Sequence, residues 1–372
     1  MKKFSFFLNC AATALFAIAL TACQDVKDNP SGGDNPANQA ITIQSGDTLA
    51  PVYKQLAATT NDIVIEIPAG VDTVYTGKIE LKAGQKFTLV GDEKNPPVVV
   101  PTASMKFANT FTIKNVIFDC SNFTNHLLMM ISTPDEELKI NDKDGNFAYY
   151  AIKDPVLIEN VIAKGLSKAF FYDNNQKYFF DEFTINNCIV GYKNQGNVVI
   201  NFNASMILNF NFTNSTFFSL NQTDKNFIGL NGSKRPWEVA GYESTPTKFV
   251  CKNNTFYNMA CKKQFFNTNR LKGQIKYVYY VDNNIFMNTS NKKIYGNMTN
   301  NTNNGKIQIQ ASNNVYLWDG TFFAETNYNG DAGVQLDPQF KNAEEGNFRP
   351  TNLAFLNLET IPGDPRWTQW IK

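Results

Sequence analysis

Apolar residues along this chain hold neither a helical nor a plain strand period for long, but they recur inside one short phrase. It reads TIKNVIFDC from Thr112, LIENVIAKG from Leu157, TINNCIVGY from Thr184 and NFTNSTFFS from Asn211. It returns as VCKNNTFYN from Val250, VDNNIFMNTS from Val281 and ASNNVYLWD from Ala311. The copies align on Asn115, Asn160, Asn187, Asn214, Asn253, Asn283 and Asn313. Two residues before the asparagine the side chain is always apolar, from Ile113 to Ala311. Two residues after it stands a β-branched residue, and three after it an apolar or aromatic one.

The two wholly apolar columns lie five residues apart. In one straight strand an odd spacing sends side chains to opposite faces. Both columns reach one core only if the backbone bends between them, and asparagine accepts the left-handed geometry of such a bend. Each copy therefore reads as strand, asparagine corner, strand. The copies are separated by 45, 27, 27, 39, 30 and 30 residues, a period that marks stacked repeat units. Helical repeats fail for want of a 3.6-residue period, and propeller blades need more chain per unit. The pattern predicts an all-β fold, a right-handed single-stranded parallel β-helix, with the corner asparagines stacked and facing inward as an amide ladder. Asp47, Leu49, Val52, Tyr53 and Leu56 predict a short amphipathic helix, capped by Asp47, that covers the N-terminal end; Gly91 is read as an earlier corner.

The first residues stand apart. MKK followed by FSFFLNCAATALFAIAL is a secretory signal over residues 1–22. It ends in Leu20-Thr21-Ala22-Cys23, which resembles a bacterial lipobox, so Cys23 is the expected lipidation site. Residues 23–40, rich in Asp, Asn, Pro and Gly, read as a flexible tether. The β-helix domain occupies residues 41–372. Lys+Arg 34 against Asp+Glu 33 leaves a net charge of +1, so nucleic acid is not an expected partner and the membrane is engaged only through the lipid. Cys120, Cys188, Cys251 and Cys261 fit no zinc or disulfide spacing and read as buried thiols.

The phrase DIVIEIPAGVDTVYTGKIELKAGQKFTLVG, the asparagine-cornered copies and the tail DPQFKNAEEGNF resemble pectate-lyase-like β-helix proteins. Gly363-Asp364-Pro365-Arg366-Trp367 is similar to the ending of uncharacterised β-helix lipoproteins of Bacteroidota. The resemblance implies an outer-membrane or cell-surface location, but it does not fix an activity, since the fold carries many. Asp119 lacks acidic neighbours in its column. Asp173, Asp181 and Glu182 read as exposed turn charges, and Asn141–Asn146 as a loop tip without the ligand pattern of a calcium loop. His126 is the only histidine; it reads as a structural residue, and no zinc cluster built on several histidines is available. No catalytic residue and no metal site is named.

The two long steps carry insertions at 135–154 and 231–248. The second holds Arg235, Trp237 and Tyr242, a set suited to stacking on sugar rings and bonding their hydroxyls. The sequence thus points to a monomeric surface lipoprotein that binds an extracellular glycan without cofactor or evident catalysis. The alternatives are a lyase or glycosidase of the same fold, with calcium entering only in the lyase case, and a structural or adhesive protein. The anchor is directly testable. Cys23→Ser should abolish lipid labelling and release the protein from the membrane fraction; wild-type labelling and sedimentation would contradict the assignment.

Overall fold

The computed structural model describes residues 42–268, 277–290, 294–295, 308–323 and 331–369. The signal segment, Cys23 and the tether lie outside the described residues. All seven repeat asparagines adopt a left-handed backbone, with φ between 51° and 57°. The consequence is the one that the odd column spacing demands. The column before the bend is buried from Ile113 through Val281, and the column after it from Phe118 through Tyr316. Ala311, at the end of the first column, packs against the same core.

The fold is nearly all β, with one short helix at its N-terminal end. The strands form parallel ladders. Phe183–Asn186 pairs with Phe210–Thr213, which pairs with Phe249–Lys252 and then with Tyr279–Asp282. After the corners, Ile189–Tyr192, Thr216–Ser219, Thr255–Tyr257, Ile285–Met287 and Val315–Leu317 form a second set of parallel pairings. A separate parallel sheet links Met105–Phe107, Leu128–Met130, Phe171–Tyr172, Ile200–Phe202, Ile228–Leu230 and Phe266–Asn267. Parallel pairing in register puts like on like. Phe256, Phe286 and Tyr316 stack with centroids 5.1 and 5.6 Å apart. Stacked and offset rings add packing energy beyond their buried area.

The asparagines form two ladders, and their placement corrects the expectation of one inward ladder. The left-handed asparagines are half-buried, and Asn187 is exposed. Asn160 donates to Asn115 Oδ1 (2.9 Å), Asn187 to Asn160 (2.5 Å), Asn253 to Asn214 (3.0 Å), Asn283 to Asn253 (3.2 Å) and Asn313 to Asn283 (2.8 Å). The run breaks once: Asn214 turns its amide to Asn186 Oδ1 (2.9 Å). The inward ladder belongs to the next residue. Asn254, Asn284 and Asn314 are fully buried. Asn254 Nδ2 donates to Asn284 Oδ1 (3.0 Å) and Asn284 Nδ2 to Asn314 Oδ1 (2.9 Å). Each amide also reaches back to a backbone carbonyl, of Phe212, Cys251 and Val281 respectively. The side chain of Asp331 closes the series on Asn314 Nδ2 (2.6 Å). Earlier repeats fill this buried column with Val116, Val161, Cys188 and Ser215.

At the N-terminal end, helix Leu49–Leu56 buries Leu49 and Tyr53, but its cap is Thr48, not Asp47. The Asp47 carboxylate instead accepts from Gln44 N (2.8 Å). Gly91 is not left-handed; it lies under the first corner, where an added Cβ would stand 2.2 Å from the Asn115 carbonyl oxygen. The glycine is required by that approach.

Replacing Asn284 with leucine would strand the Cys251 carbonyl and both donors of Asn254 that now reach the Asn284 carboxamide. Each stranded buried group costs about 1–3 kcal/mol. Asn284→Leu should therefore cost at least ~2 kcal/mol in denaturant unfolding. Asn283→Gly, which keeps the left-handed corner and loses two half-exposed bonds, one to Asn253 and one from Asn313, leaves groups that water can reach and should cost about 1 kcal/mol or less. Equal losses would contradict the division between the two ladders.

Candidate functional site

The two insertions, separate in sequence, meet in the structure. Lys139–Asn141 and Phe147–Ile152 form an antiparallel hairpin whose second strand joins Tyr178–Phe180 in parallel. Its tip docks on the second insertion. Asp142 bridges Val239 in antiparallel fashion, Lys143 N donates to Glu238 O (3.1 Å), and Ala240 N to Asn141 O (3.0 Å). The Asp142 side chain is buried, accepts from Asp144 N (3.0 Å) and Asn146 N (2.9 Å), and pairs with Lys234 Nζ at 2.7 Å. The Lys234 ammonium, then the backbone N–H groups, hold this carboxyl below its usual range. The loop that superficially resembles a calcium loop is thus organised around a lysine. Among the described residues no group of three or more His, Cys, Asp or Glu is placed to hold a metal ion.

Arg235, Trp237 and Tyr242 are brought into one loop, and each has a role within it. Pro236–Glu238 form a single 3-10 turn; the Glu238 carboxylate accepts from Arg235 N (2.6 Å) and pairs with the guanidinium (3.3 Å). Trp237 is half-buried and packs on the main core, as does Tyr242. The Tyr242 ring lies 4.7 Å from that of Phe179, and its hydroxyl donates to Asp181 (2.8 Å). Burial raises the Asp181 carboxyl against the pull of that hydroxyl. Lys234 N donates to the Tyr149 hydroxyl (2.7 Å), tying the loop base to the hairpin.

The remaining sequence candidates divide. Asp173, expected as an exposed turn charge, is buried and accepts from Ala204 N (2.7 Å), Ser205 N (3.0 Å) and Asn175 N (3.0 Å). Burial pushes its carboxyl up to about 6. Glu182 accepts from Thr184 (3.2 Å) and Asn211 (3.3 Å) on the outward face. Asp119 is half-buried and caps Ser121 N (3.0 Å). His126 accepts from Ala169 N (3.2 Å), and burial, helped by the charge of Lys168, lowers it to about 4. The four cysteines are free and buried; burial pushes Cys188 up to about 12.

Sequence reasoning did not anticipate the path of the C-terminal strap. Asn313 Nδ2 donates to Thr360 O (3.0 Å), and Gly363 N donates to Asn283 O (2.7 Å). Asp364 N then donates to Thr255 Oγ1 (3.1 Å), and the Thr216 hydroxyl to Asp364 (2.8 Å). Arg366 ends the run by donating to Asn187 Oδ1, at the break in the outer ladder. Trp367 Nε1 donates to Thr216 Oγ1 (2.7 Å). The Gly-Asp-Pro-Arg-Trp phrase thus runs back across the corners, and the two threonines of the β-branched column are its partners. The signal was present: threonine at 216 and 255, in a column that otherwise carries isoleucine or valine.

Two family models match the chain, each described as a domain of unknown function: DUF4957 over residues 70–220 and DUF5123 over residues 249–367. No curated protein and no solved structure matches it. The segment between the two matches contains the insertion at 231–248, and the second match ends on Trp367 of the strap.

Burial pushes the Asp364 carboxyl up from 3.8 to about 6, against the opposing Arg366 and Thr216. A carboxyl raised on folding binds its proton better in the folded chain, so its contribution to stability declines as pH climbs through that window. Asp364→Asn should flatten the melting temperature against pH between about 4 and 6, while Asp173 contributes its own slope to both proteins. Parallel curves for wild type and variant would contradict the assignment.

Proposed function

We propose that the parallel sheets are faces of a right-handed single-stranded parallel β-helix, carried on a lipid anchor at the outer membrane or cell surface, and that it binds an extracellular glycan without catalysis. Three features support the winding. Corners, flanking strands and the separate sheet advance by closely similar offsets, so each repeat visits them in the same order. Handedness follows the strong preference of parallel crossovers for the right-handed sense. The strap gives the later corners a cover.

The observation that carries the binding reading is the outward face beside the corners. Its side chains are linked across neighbouring strands: Lys114 with Glu159 (2.9 Å), Asn186 with Glu159 (2.9 Å), Thr213 with Asn186 (3.0 Å), and Lys252 with Asp282 (2.8 Å). Lys252 also lies over the half-exposed ring of Tyr280 (5.9 Å). Held amides, hydroxyls and one phenol ring suit a hydroxyl-rich chain, because little side-chain freedom is lost on binding. Of the binding candidates, Tyr242 donates its hydroxyl to Asp181 on the strand that also carries Glu182 and Asn186, and Arg235 and Trp237 belong to the same loop as Tyr242. A lyase reading is favoured by Lys164, half-buried and in register with Asp119, since burial lowers its ammonium.

On an array of soluble polysaccharides the full chain should retain at least one glycan, with no unsaturated or reducing sugar released. Tyr280→Ala should weaken retention about tenfold, a loss of about 1.4 kcal/mol, and leave the melting temperature within a few degrees of wild type. No retained glycan would overturn the binding reading; turnover that is lost in Lys164→Met would favour the lyase.

A further inference from the structure

Lysines on the sheet faces and insertions are mostly ion-paired: Lys86 with Asp154, Lys114 with Glu159, Lys234 with Asp142 and Lys252 with Asp282. One edge departs from this. The turns that follow the second strand of each repeat stack directly on one another. Lys193 N donates to Leu166 O (2.9 Å) and Gly196 N to Ser167 O (3.0 Å). Gln195 Nε2 donates to Lys225 O (3.1 Å), Lys262 N to Thr223 O (3.1 Å), and the Ser290 hydroxyl to Lys263 O (2.8 Å). This stack brings Lys168, Lys193, Lys225, Lys262 and Lys263 to one edge, all exposed. Among the described residues none of the five is ion-paired, and the turns 166–169, 193–198, 220–226 and 258–264 hold a single carboxylate, Asp224. Between the lysines stand exposed amides, Asn194, Asn221 and Gln222, and no exposed aromatic ring.

We propose that this lysine edge binds an anionic polysaccharide, a sugar chain bearing carboxylate or sulfate groups, laid along the stack. The proposal rests on the glycan-binding reading and gives it a chemical class and a second surface. Stacked turns repeat at about the strand spacing of ~4.8 Å, so positive charge is presented in a line rather than at a point. A flexible polyanion matches a line of charge, and its hydroxyls match the interleaved amides. Single-stranded nucleic acid is recognised largely by stacking on aromatic rings, which this edge lacks. The gathering is local: the whole chain carries only +1.

The test compares dextran sulfate with uncharged dextran, binding the full chain at low and moderate salt. Lys168, Lys225, Lys262 and Lys263 are changed together to glutamine; Lys193 is left because its ammonium also donates to the Ser121 carbonyl. A control removes the same charge elsewhere, with Lys54, Lys82, Lys94 and Lys143 changed to glutamine, all exposed. Wild type and control should bind dextran sulfate and ignore dextran, and the edge variant should bind about tenfold or more weakly, with a shallower salt dependence. Unchanged binding by the edge variant, or an equal loss in the control, would overturn the proposal. So would equal affinity of wild type for duplex DNA or for phosphatidylserine vesicles. If wild type retains an uncharged glycan but not dextran sulfate, the edge proposal fails and the glycan reading stands; if it retains no glycan at all, both fail.

Discussion

The fold depends on one backbone conformation, repeated: an asparagine in the left-handed region at each corner. A left-handed residue costs a β-branched side chain roughly 1–2 kcal/mol, and asparagine much less. It lets residues five apart along the chain enter the same core. Everything outward and inward of the corner follows from that bend. The asparagine itself points its amide along the outside of the stack, and the residue after it is driven inward. Where that next residue is also asparagine, a buried amide needs partners on both sides, which the neighbouring repeats supply and Asp331 completes.

The corner column also explains the C-terminal strap. A β-branched column faces outward just past the bend, and left bare over several repeats it would expose an apolar stripe. Asp364, Arg366 and Trp367 cover it by bonding the two positions where threonine replaces isoleucine or valine, and Arg366 uses the place where the outer ladder changes partner. The cover over the corner column and the ladder's change of partner therefore meet at one place.

Much of this was legible in the sequence. Column spacing and offsets gave the bend, the repeat and the parallel order, because side-chain alternation is a strict local rule. The residue that carries the inward ladder was misplaced by one position, since the doubled asparagine of NNTF, NNIF and NNVY does not say which member turns the chain. Asp173 was misread because turn composition does not reveal burial; two of its three backbone donors come from a segment some thirty residues later. The meeting of the two insertions was invisible for the same reason. Arg235, Trp237 and Tyr242 read as binding chemistry by residue type; what residue type could not show is that Arg235 and Tyr242 also bond Glu238 and Asp181, and that Trp237 also packs on the core. The lysine edge escaped notice because whole-chain charge averages it away.

The most direct test of the central claim is hydrogen exchange of the asparagine side-chain amides, read residue by residue by NMR. If the left-handed residue faces out and its successor in, the carboxamide protons of Asn254 and Asn284 should exchange only through global unfolding. Those of Asn187 should exchange orders of magnitude faster. Comparable fast exchange at all three would contradict the account.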